Sequence, residues 1–208
     1  MSLTNEIAAY NRGRKWGVFL KEIAPSKGMR VLDVGFEEEE YGGHSNFIEK
    51  NYPYPEMLTA LGVDIPVKFK ARYPTVTAVY YDGNCFPFED KAFDVLWSNA
   101  VIEHVGDRNK QLLFLKEIKR VSKRAFITTP NRFFLIEVHT LTPLLHYLPK
   151  RVFDKYLEFI GKGWAAGEYM HLLSKNDIKT LLADAGIADY TIIKNRFVGI
   201  TMSFIVLF

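Results

Sequence analysis

Three acidic residues, each at or just after the end of a predicted strand, are the first residues whose types and spacing could do chemistry. They are Asp33 in VLDVG, Asp64 in LGVDI and Asp82 in YYDGN. Ligands of a parallel α/β sheet bind beyond the carboxyl ends of its strands. A carboxylate there can accept hydrogen bonds from hydroxyls or amines, whereas an acid taken alone often shapes a turn or caps a helix. An adenosine ligand accounts for all three acids together.

The first of these strand ends carries an unusual loop. The segment reads VLDVGFEEEEYGGHSNF, so Phe36 and four glutamates stand where a glycine-rich turn is expected after Gly35. Gly35 itself allows a close approach of backbone and ligand because it has no Cβ. The run Glu37 to Glu40 is expected to be a solvated loop tip, since adjacent carboxylates repel one another. The alternative is that one glutamate faces a positive charge on the ligand.

The next strand ends supply the remaining polar groups of such a site. Asp64 could accept hydrogen bonds from both ribose hydroxyls, as an acid does in dinucleotide-binding folds. Asp82 could accept from the exocyclic amine of adenine while Gly83 makes room for the ring. Ser98 and Asn99 follow the fourth predicted strand and offer small polar groups beside the middle of a cofactor.

Strand-like and helix-like segments alternate along the chain, which predicts an α/β fold with a mainly parallel sheet. The predicted strands are 30–34, 58–65, 76–81, 93–98, 125–129, 190–194 and 200–208, and the predicted helices are 4–24, 45–52, 107–121 and one opened by the capping sequence 174–177. The last two strands can pair as an antiparallel hairpin. A length of 208 residues suits a single domain, with 131–173 as a long irregular insertion.

Composition excludes several classes of function. The net charge of +3 and the pI of about 8.8 are too mild to indicate nucleic-acid binding, and the basic segment 12–15 is expected at a solvated helix end. A single cysteine, Cys85, excludes an internal disulfide and a cysteine-based zinc site. With no recognisable secretory leader and no run of roughly 18 uncharged apolar residues, we expect a cytoplasmic monomer or homodimer with at most peripheral membrane contact.

Three segments of the chain together resemble the core of class I S-adenosylmethionine-dependent methyltransferases. They are VLDVG, LGVDI and YYDGNCFPFEDKAFDVLWSNAVIEHVGD. Residues 82–105 are similar to the small-molecule type 11 branch in particular, with an acid before Phe-Pro-Phe, then Phe-Asp-Val and Ile-Glu-His-Val. The resemblance, over roughly 15–130, implies a Rossmann-like, doubly wound, seven-stranded, mainly parallel sheet. It also implies an antiparallel C-terminal hairpin and a lid insertion after strand five.

The same resemblance implies that S-adenosylmethionine is the cofactor and that no metal is needed. The cofactor-binding residues it implies are Asp33 and Gly35 for the methionine part, Asp64 for the ribose, Ile65, Asp82 and Gly83 for the adenine, and Ser98 and Asn99 for the amino end. Methyl transfer from a sulfonium is an in-line displacement, so the protein chiefly positions the acceptor and removes water.

A general base is required only if the acceptor atom belongs to a weak acid such as a hydroxyl. His104 is the first candidate because it follows the fourth strand; its alternative role is to cap the helix that begins near Asp107. His139 and Glu137 lie two apart in the insertion and would share one face of an extended segment. The further candidates are His146 and His171, with Glu103 as a helper.

The insertion 131–173 is rich in aromatic residues and has two interpretations. It is either a helical segment with its own small core or a cover for an apolar or lipid-linked acceptor. The predicted function is methyl transfer to a small-molecule or a glycan- or lipid-linked acceptor. The alternative is a catalytically silent protein of the same fold that binds a regulatory partner, because its first motif is altered.

Overall fold

The computed structural model of the protein describes residues 3–137 and 140–208. Its helices are α1 (Leu3–Ile23), α2 (Phe47–Asn51), α3 (Val67–Arg72), α4 (Arg108–Val121), α5 (Lys150–Phe159) and α6 (Lys175–Asp184). Its strands are β1 (Val31–Val34), β2 (Leu58–Gly62), β3 (Thr77–Tyr80), β4 (Phe93–Asn99), β5 (Ser122–Pro130), β6 (Ile136–Glu137), β7 (Thr142–Pro143), β8 (Thr191–Phe197) and β9 (Ile200–Leu207). Short 3₁₀ turns cover Pro55–Met57, Ile102–His104, Leu145–Tyr147, Gly163–Ala165 and Gly167–Tyr169.

The main sheet has seven strands in the order β3-β2-β1-β4-β5-β9-β8. Strand β1 is parallel to β2 and β4, β2 is parallel to β3, and β8 is antiparallel to β9. The predicted mainly parallel sheet with an antiparallel C-terminal hairpin is therefore confirmed. The chain runs outward from β1 to β3 and then returns to the other side of β1 with β4. This reversal is the switch point at which ligands bind in open α/β sheets.

The chain forms two compact units. The N-terminal unit comprises residues 1–99 and 117–127, and the C-terminal unit comprises 100–116 and 128–208. In the N-terminal unit Phe19, Trp97 and Phe126 form a buried aromatic cluster. Trp97 stacks on Phe126 at 4.9 Å between centroids, and Phe19 meets both rings edge-on at 5.0 and 5.3 Å. This packing fixes β4 and β5 against α1.

The C-terminal unit contains the insertion and a small core of its own. Helix α5 contributes Phe153 and Leu157, which pack with Ala165 and Met170. The insertion therefore matches the interpretation of a helical segment with a separate core, although α5 was expected to be irregular. Strands β6 and β7 pair antiparallel as a short hairpin outside the main sheet. Among the described residues, none of the helices has the length and apolar character to cross a membrane.

Phe36 follows Gly35, and its side chain is buried in the interior of the N-terminal unit. Its side chain is 5% exposed and lies 4.5 Å from Phe69 between ring centroids. A Cβ placed on Gly62, at the end of β2, would lie 2.6 Å from Cε1 of Phe36. The aromatic ring that directly follows Gly35 is thus accommodated by a glycine on the neighbouring strand.

Replacing Gly62 with alanine is therefore expected to lower the free energy of unfolding by roughly 1–3 kcal/mol, because the added methyl group overpacks against Phe36. Urea denaturation followed by circular dichroism measures the change. Gly43→Ala is the matched control, since a Cβ at Gly43 meets no atom within 4 Å. An unchanged stability of Gly62→Ala would contradict the close packing.

Candidate functional site

The structure places all the predicted cofactor-binding residues at the carboxyl ends of strands in the N-terminal unit. Asp33 is in β1 and Gly35 follows it, Asp64 and Ile65 follow β2, Asp82 and Gly83 follow β3, and Ser98 and Asn99 end β4. These strands are neighbours in the sheet, so the four strand ends lie side by side at the switch point. Whether each residue contacts a cofactor remains a prediction.

The ends of β2 and β3 offer an apolar surface with an acid beside it. Val63 and Ile65 are 59% and 70% exposed, and a Cβ on Gly83 would lie 3.8 Å from Cγ1 of Val63. Asp64 is exposed, and its carboxylate makes no hydrogen bond or ion pair within the described residues. An exposed apolar pair beside an uncommitted acid suits a flat ring attached to a diol.

Asp82 shapes a turn, which is the alternative role that the sequence analysis gave for acids at strand ends. Its carboxylate accepts hydrogen bonds from the backbone N–H of Asn84 at 3.0 Å and from the Asn84 side-chain amide at 2.9 Å. These bonds close the turn that contains Gly83, whose φ is 80°. The acid therefore shapes the turn, and its oxygens can meet a ligand only with their remaining lone pairs.

The end of β4 is tied to β1 and to α1. The Ser98 hydroxyl donates to the carbonyl of Val34 at 3.2 Å. The ammonium of Lys15 donates to Oδ1 of Asn99 at 3.1 Å, and Lys15 is only 4% exposed. The expectation that segment 12–15 lies at a solvated helix end is therefore wrong for Lys15. The sequence spacing could have indicated that Lys15 is buried, because it lies four residues before Phe19 and therefore on the same face of the helix.

A buried pair of carboxyl groups lies behind this edge of the sheet. Asp33 is 5% exposed and Glu49, on α2, is 6% exposed. Burial raises the pKa of Glu49 to about 7. Burial, and then the nearby Glu49 carboxyl, raise the pKa of Asp33 well above its ordinary value, which Arg12 offsets only in part. The two carboxyl groups contact each other, and no other described side chain donates a hydrogen bond to the Glu49 carboxylate. Sequence reasoning missed Glu49.

The expectation of a solvated loop tip is wrong for three of the four glutamates after Phe36, which are half-buried, whereas Glu39 is exposed. Glu38 accepts hydrogen bonds from the backbone N–H groups of Lys68 and Phe69, at 2.5 and 3.0 Å. It therefore satisfies the first turn of α3 as a capping residue would. Although desolvation opposes the effect, these amide hydrogen bonds lower the pKa of Glu38. Glu39 pairs with Lys68 as well.

Glu37 and Glu40 also hold the loop in place, through residues at its C-terminal end, through α2 and through the end of α3. Glu40 accepts from the hydroxyl of Tyr73 at 2.5 Å and pairs with Lys50 at 3.0 Å. Glu37 accepts from the Ser45 hydroxyl at 2.5 Å, and the backbone groups of Glu37 exchange two 2.8 Å hydrogen bonds with the Asn46 amide. The charge of Glu37 also contributes to the raised pKa of Asp33, and that of Glu40 to the raised pKa of Glu49.

His104 lies in the C-terminal unit, in the 3₁₀ turn that follows β4. Its Nδ1 lies 2.8 Å from the carbonyl oxygen of Tyr169, and its ring packs on the Tyr169 ring at 4.9 Å. A carbonyl only accepts, so Nδ1 carries the proton and the neutral ring keeps its lone pair on Nε2. The alternative, that His104 caps α4, does not hold. Asp107 caps this helix, because its carboxylate accepts from the N–H groups of Asn109 and Lys110.

The other acid–base candidates occupy more enclosed places. Glu137 is 2% exposed, and its carboxylate accepts from the N–H and the hydroxyl of Thr140, both at 2.6 Å, in the β6–β7 hairpin. His139 lies outside the described residues. Buried His146 donates from Nε2 to the carbonyl of Phe134 at 2.8 Å. Glu103 is fully buried and accepts from the Thr129 hydroxyl at 2.9 Å.

Within the described parts of the chain, no group of three or more histidine, cysteine or acidic side chains is arranged to hold a metal ion.

The raised pKa of Glu49 predicts a pH-dependent stability. In the folded chain its pKa is about 7 against an ordinary 4.5, so its stabilising contribution is complete below pH 4.5 and is lost as the pH rises towards 7. Glu49→Gln should remove this loss and raise the free energy of unfolding at pH 8 by on the order of 1–3 kcal/mol. Urea denaturation between pH 5 and pH 8 tests this. Glu56→Gln, at an exposed position, should keep the wild-type pH profile.

The two described hydrogen bonds to carbonyls predict opposite tautomers for two histidines. The neutral ring of His104 should carry its proton on Nδ1 and that of His146 on Nε2. Two-dimensional ¹⁵N–¹H correlation spectra of labelled protein distinguish the two forms, and His104→Gln and His146→Gln assign the signals. A proton on Nε2 of neutral His104 would contradict the proposed orientation of its lone pair.

Comparison with known families gives a match over the middle of the chain. The type 11 model of the family described as "methyltransferase domain" matches residues 44–125, from the end of the β1–α2 loop into β5. The matched segment includes the strand ends with Asp64, Asp82 and Asn99. The search of curated proteins finds no significant match.

Solved structures of S-adenosylmethionine-dependent methyltransferases share the fold. The CurJ carbon methyltransferase superposes with a TM-score of 0.59 and 13% identity, over 95% of this chain and 53% of that one, so the present chain spans about half its length. A possible histamine N-methyltransferase from Thermotoga maritima gives 0.58 and 15%, over 99% and 90%. Phosphoethanolamine N-methyltransferase 2 from Haemonchus contortus, solved with S-adenosylhomocysteine, gives 0.56 and 18%, over 88% and 39%. At these identities the likeness concerns the fold.

Proposed function

We propose that the chain is a class I S-adenosylmethionine-dependent methyltransferase of the type 11 branch, and that its acceptor is a small molecule, free or linked to a glycan or lipid. The observation that carries the proposal is the row of acids at the ends of β1, β2 and β3. The similarity of residues 82–105 to the small-molecule branch supports this class of acceptor.

The charge distribution of the N-terminal unit fits a cationic cofactor. The pKa values of Asp33 and Glu49 are raised, and a positive charge bound nearby would stabilise the ionised forms of both carboxyl groups. S-adenosylmethionine supplies a methyl group on a positively charged sulfonium and also carries an ammonium group. A dinucleotide would instead bring a pyrophosphate, whose negative charge would oppose ionisation of these carboxyl groups. Lys15 beside Asn99 offers a cation for the cofactor's carboxylate.

The apolar surface at the ends of β2 and β3 suits the adenosine part. Val63 and Ile65 would pack on the adenine ring, and Gly83 leaves room beside them. Asp64 would accept hydrogen bonds from the ribose hydroxyls, because its carboxylate is not committed elsewhere in the described structure. Asp82 would hold the turn that contacts the adenine edge.

His104 would act on the acceptor. It follows Asn99, the last residue of β4, by five positions along the chain. The Tyr169 carbonyl orients its ring. Nε2 would take the proton of an acceptor hydroxyl as its oxygen attacks the methyl group, or the proton of an acceptor ammonium before its nitrogen attacks. The same carbonyl stabilises the imidazolium that results. Glu137 and His139 remain the alternative candidates from the insertion.

The alternative of a catalytically silent partner rested on the altered first motif. In the structure Phe36 packs against Gly62 and Phe69 in the interior of the N-terminal unit, and the glutamates are held by α3. The alteration is thus accommodated by local packing, which favours a lengthened cofactor loop over a lost one.

Calorimetric titration with S-adenosylmethionine and S-adenosylhomocysteine tests the proposal. Asp64→Ala should weaken the affinity for both by roughly 10- to 100-fold, because charge-assisted hydrogen bonds of about 1.5–3 kcal/mol are lost. Glu89→Ala, at another exposed acid of the same unit, should bind as the wild type does. Absence of binding of either ligand at millimolar concentration by the folded protein would overturn the proposal. An unchanged affinity of Asp64→Ala would remove Asp64 from the site.

A further inference from the structure

The C-terminal unit contains a cavity of about 270 Å³ between the insertion, α4 and the start of α6. Buried Phe153 and Met170 give it an apolar side. Its charged wall includes three cationic side chains, Arg108, Arg132 and Lys150.

Most of the charges in this wall are already paired. The Lys150 ammonium contacts both carboxylate oxygens of Asp154, at 3.0 and 2.9 Å, and Arg108 pairs with Asp184 at 2.7 Å. The carboxylate of Asp177 is used in the capping box of α6, where it accepts from the N–H of Ser174 at 2.8 Å. Both acids of the wall are therefore committed to partners of their own.

Arg132 is the exception. Its backbone N–H donates to the carbonyl of Leu173, which fixes the residue at the cavity. Its guanidinium is half-buried and, within the described residues, has neither a hydrogen bond nor an ion pair. A guanidinium presents five N–H donors in a planar fork, and leaving them without acceptors in a partly desolvated place is unfavourable. The cavity therefore lacks a negative partner for Arg132.

The cavity is joined to the candidate base by hydrogen bonds within the same unit. The side-chain amide of Gln111 donates to the carbonyls of Ile102 and His171, at 3.2 and 3.0 Å. The N–H of His171 donates to the carbonyl of Glu103 at 2.7 Å. With the bond from His104 to the Tyr169 carbonyl, segment 102–104 is fixed against segment 169–171, which continues into the cavity wall.

We propose that this cavity binds an oxyanion group of the methyl acceptor, a phosphate or a carboxylate, through the guanidinium of Arg132. The inference rests on the proposed function, since it assigns the acceptor a negatively charged group. A guanidinium binds either oxyanion with two parallel hydrogen bonds, and the apolar side contacts the adjoining carbon skeleton. Lys150 and Arg108 are neutralised by Asp154 and Asp184, so Arg132 is the main ligand.

Titration of the full chain with inorganic phosphate and, separately, with acetate tests the inference. Binding is followed by calorimetry at a constant ionic strength set with sodium chloride, because weak anion binding is sensitive to screening. The wild type should bind at least one of the two anions saturably, and the anion that binds more tightly identifies the oxyanion class. Arg132→Gln should weaken that affinity by about tenfold or more, and Arg132→Lys by less, because lysine keeps the charge but not the fork.

Arg151→Gln is the matched control, since Arg151 is an exposed residue of α5 that does not line the cavity. It should bind the anion as the wild type does. Absence of saturable binding, equal affinity of Arg132→Gln and the wild type, or an equal loss in Arg151→Gln would each overturn the inference.

Titration of the same variants with S-adenosylhomocysteine separates this inference from the proposed function. Cofactor binding without anion binding would overturn the anion site and leave the methyltransferase proposal standing. Anion binding abolished by Arg132→Gln, in a protein that binds no cofactor, would support the anion site and overturn the proposed function. Arg132→Gln should itself bind the cofactor normally, which also shows that the variant is folded.

Discussion

The burial of two carboxyl groups against each other, Asp33 on β1 and Glu49 on α2, is the constraint on which the cofactor side of the protein depends. Desolvation makes the doubly ionised pair unfavourable, and Arg12 compensates for it only in part. The protein therefore keeps a destabilising group at the point where the sheet reverses its strand order. Functional sites commonly retain such groups, because a bound ligand of opposite charge recovers what the empty site loses.

The sheet could be predicted well from the sequence, and its helices only in part. The apolar runs at β1, β2 and β4 are strong local signals, and the capping residues Ser174 and Asp177 correctly marked the start of α6. Helix α3 was missed because its six residues are too few to show a helical period. The end of β2 was predicted too late because Val63 and Ile65, which follow it, are apolar although they are exposed. The predicted β3 was one residue too long at each end, because Val76 and Tyr81 are buried without belonging to the strand.

Some residues of the candidate site could be predicted from the sequence, and others could not. Asp64 and Asp82 were found because their position after a strand is visible in the sequence. Glu49 was missed because an acid inside a short helix resembles a surface residue, and only the contact with Asp33 distinguishes it. The solvation of the run Glu37 to Glu40 was predicted from the repulsion between neighbouring carboxylates, which ignores partners that are distant in the sequence. Its compensating partners, Lys68, Tyr73 and the amides of α3, lie some thirty residues away in the sequence.

The attachment of the β1–α2 loop to α3 has a consequence for how a ligand is received. Long loops around a ligand usually lose conformational entropy when the ligand binds, and that loss weakens the affinity. Here Glu38 and Glu40 already hold the loop to α3, so most of the ordering occurs when the chain folds. A ligand that contacts this loop would therefore meet a preorganised surface.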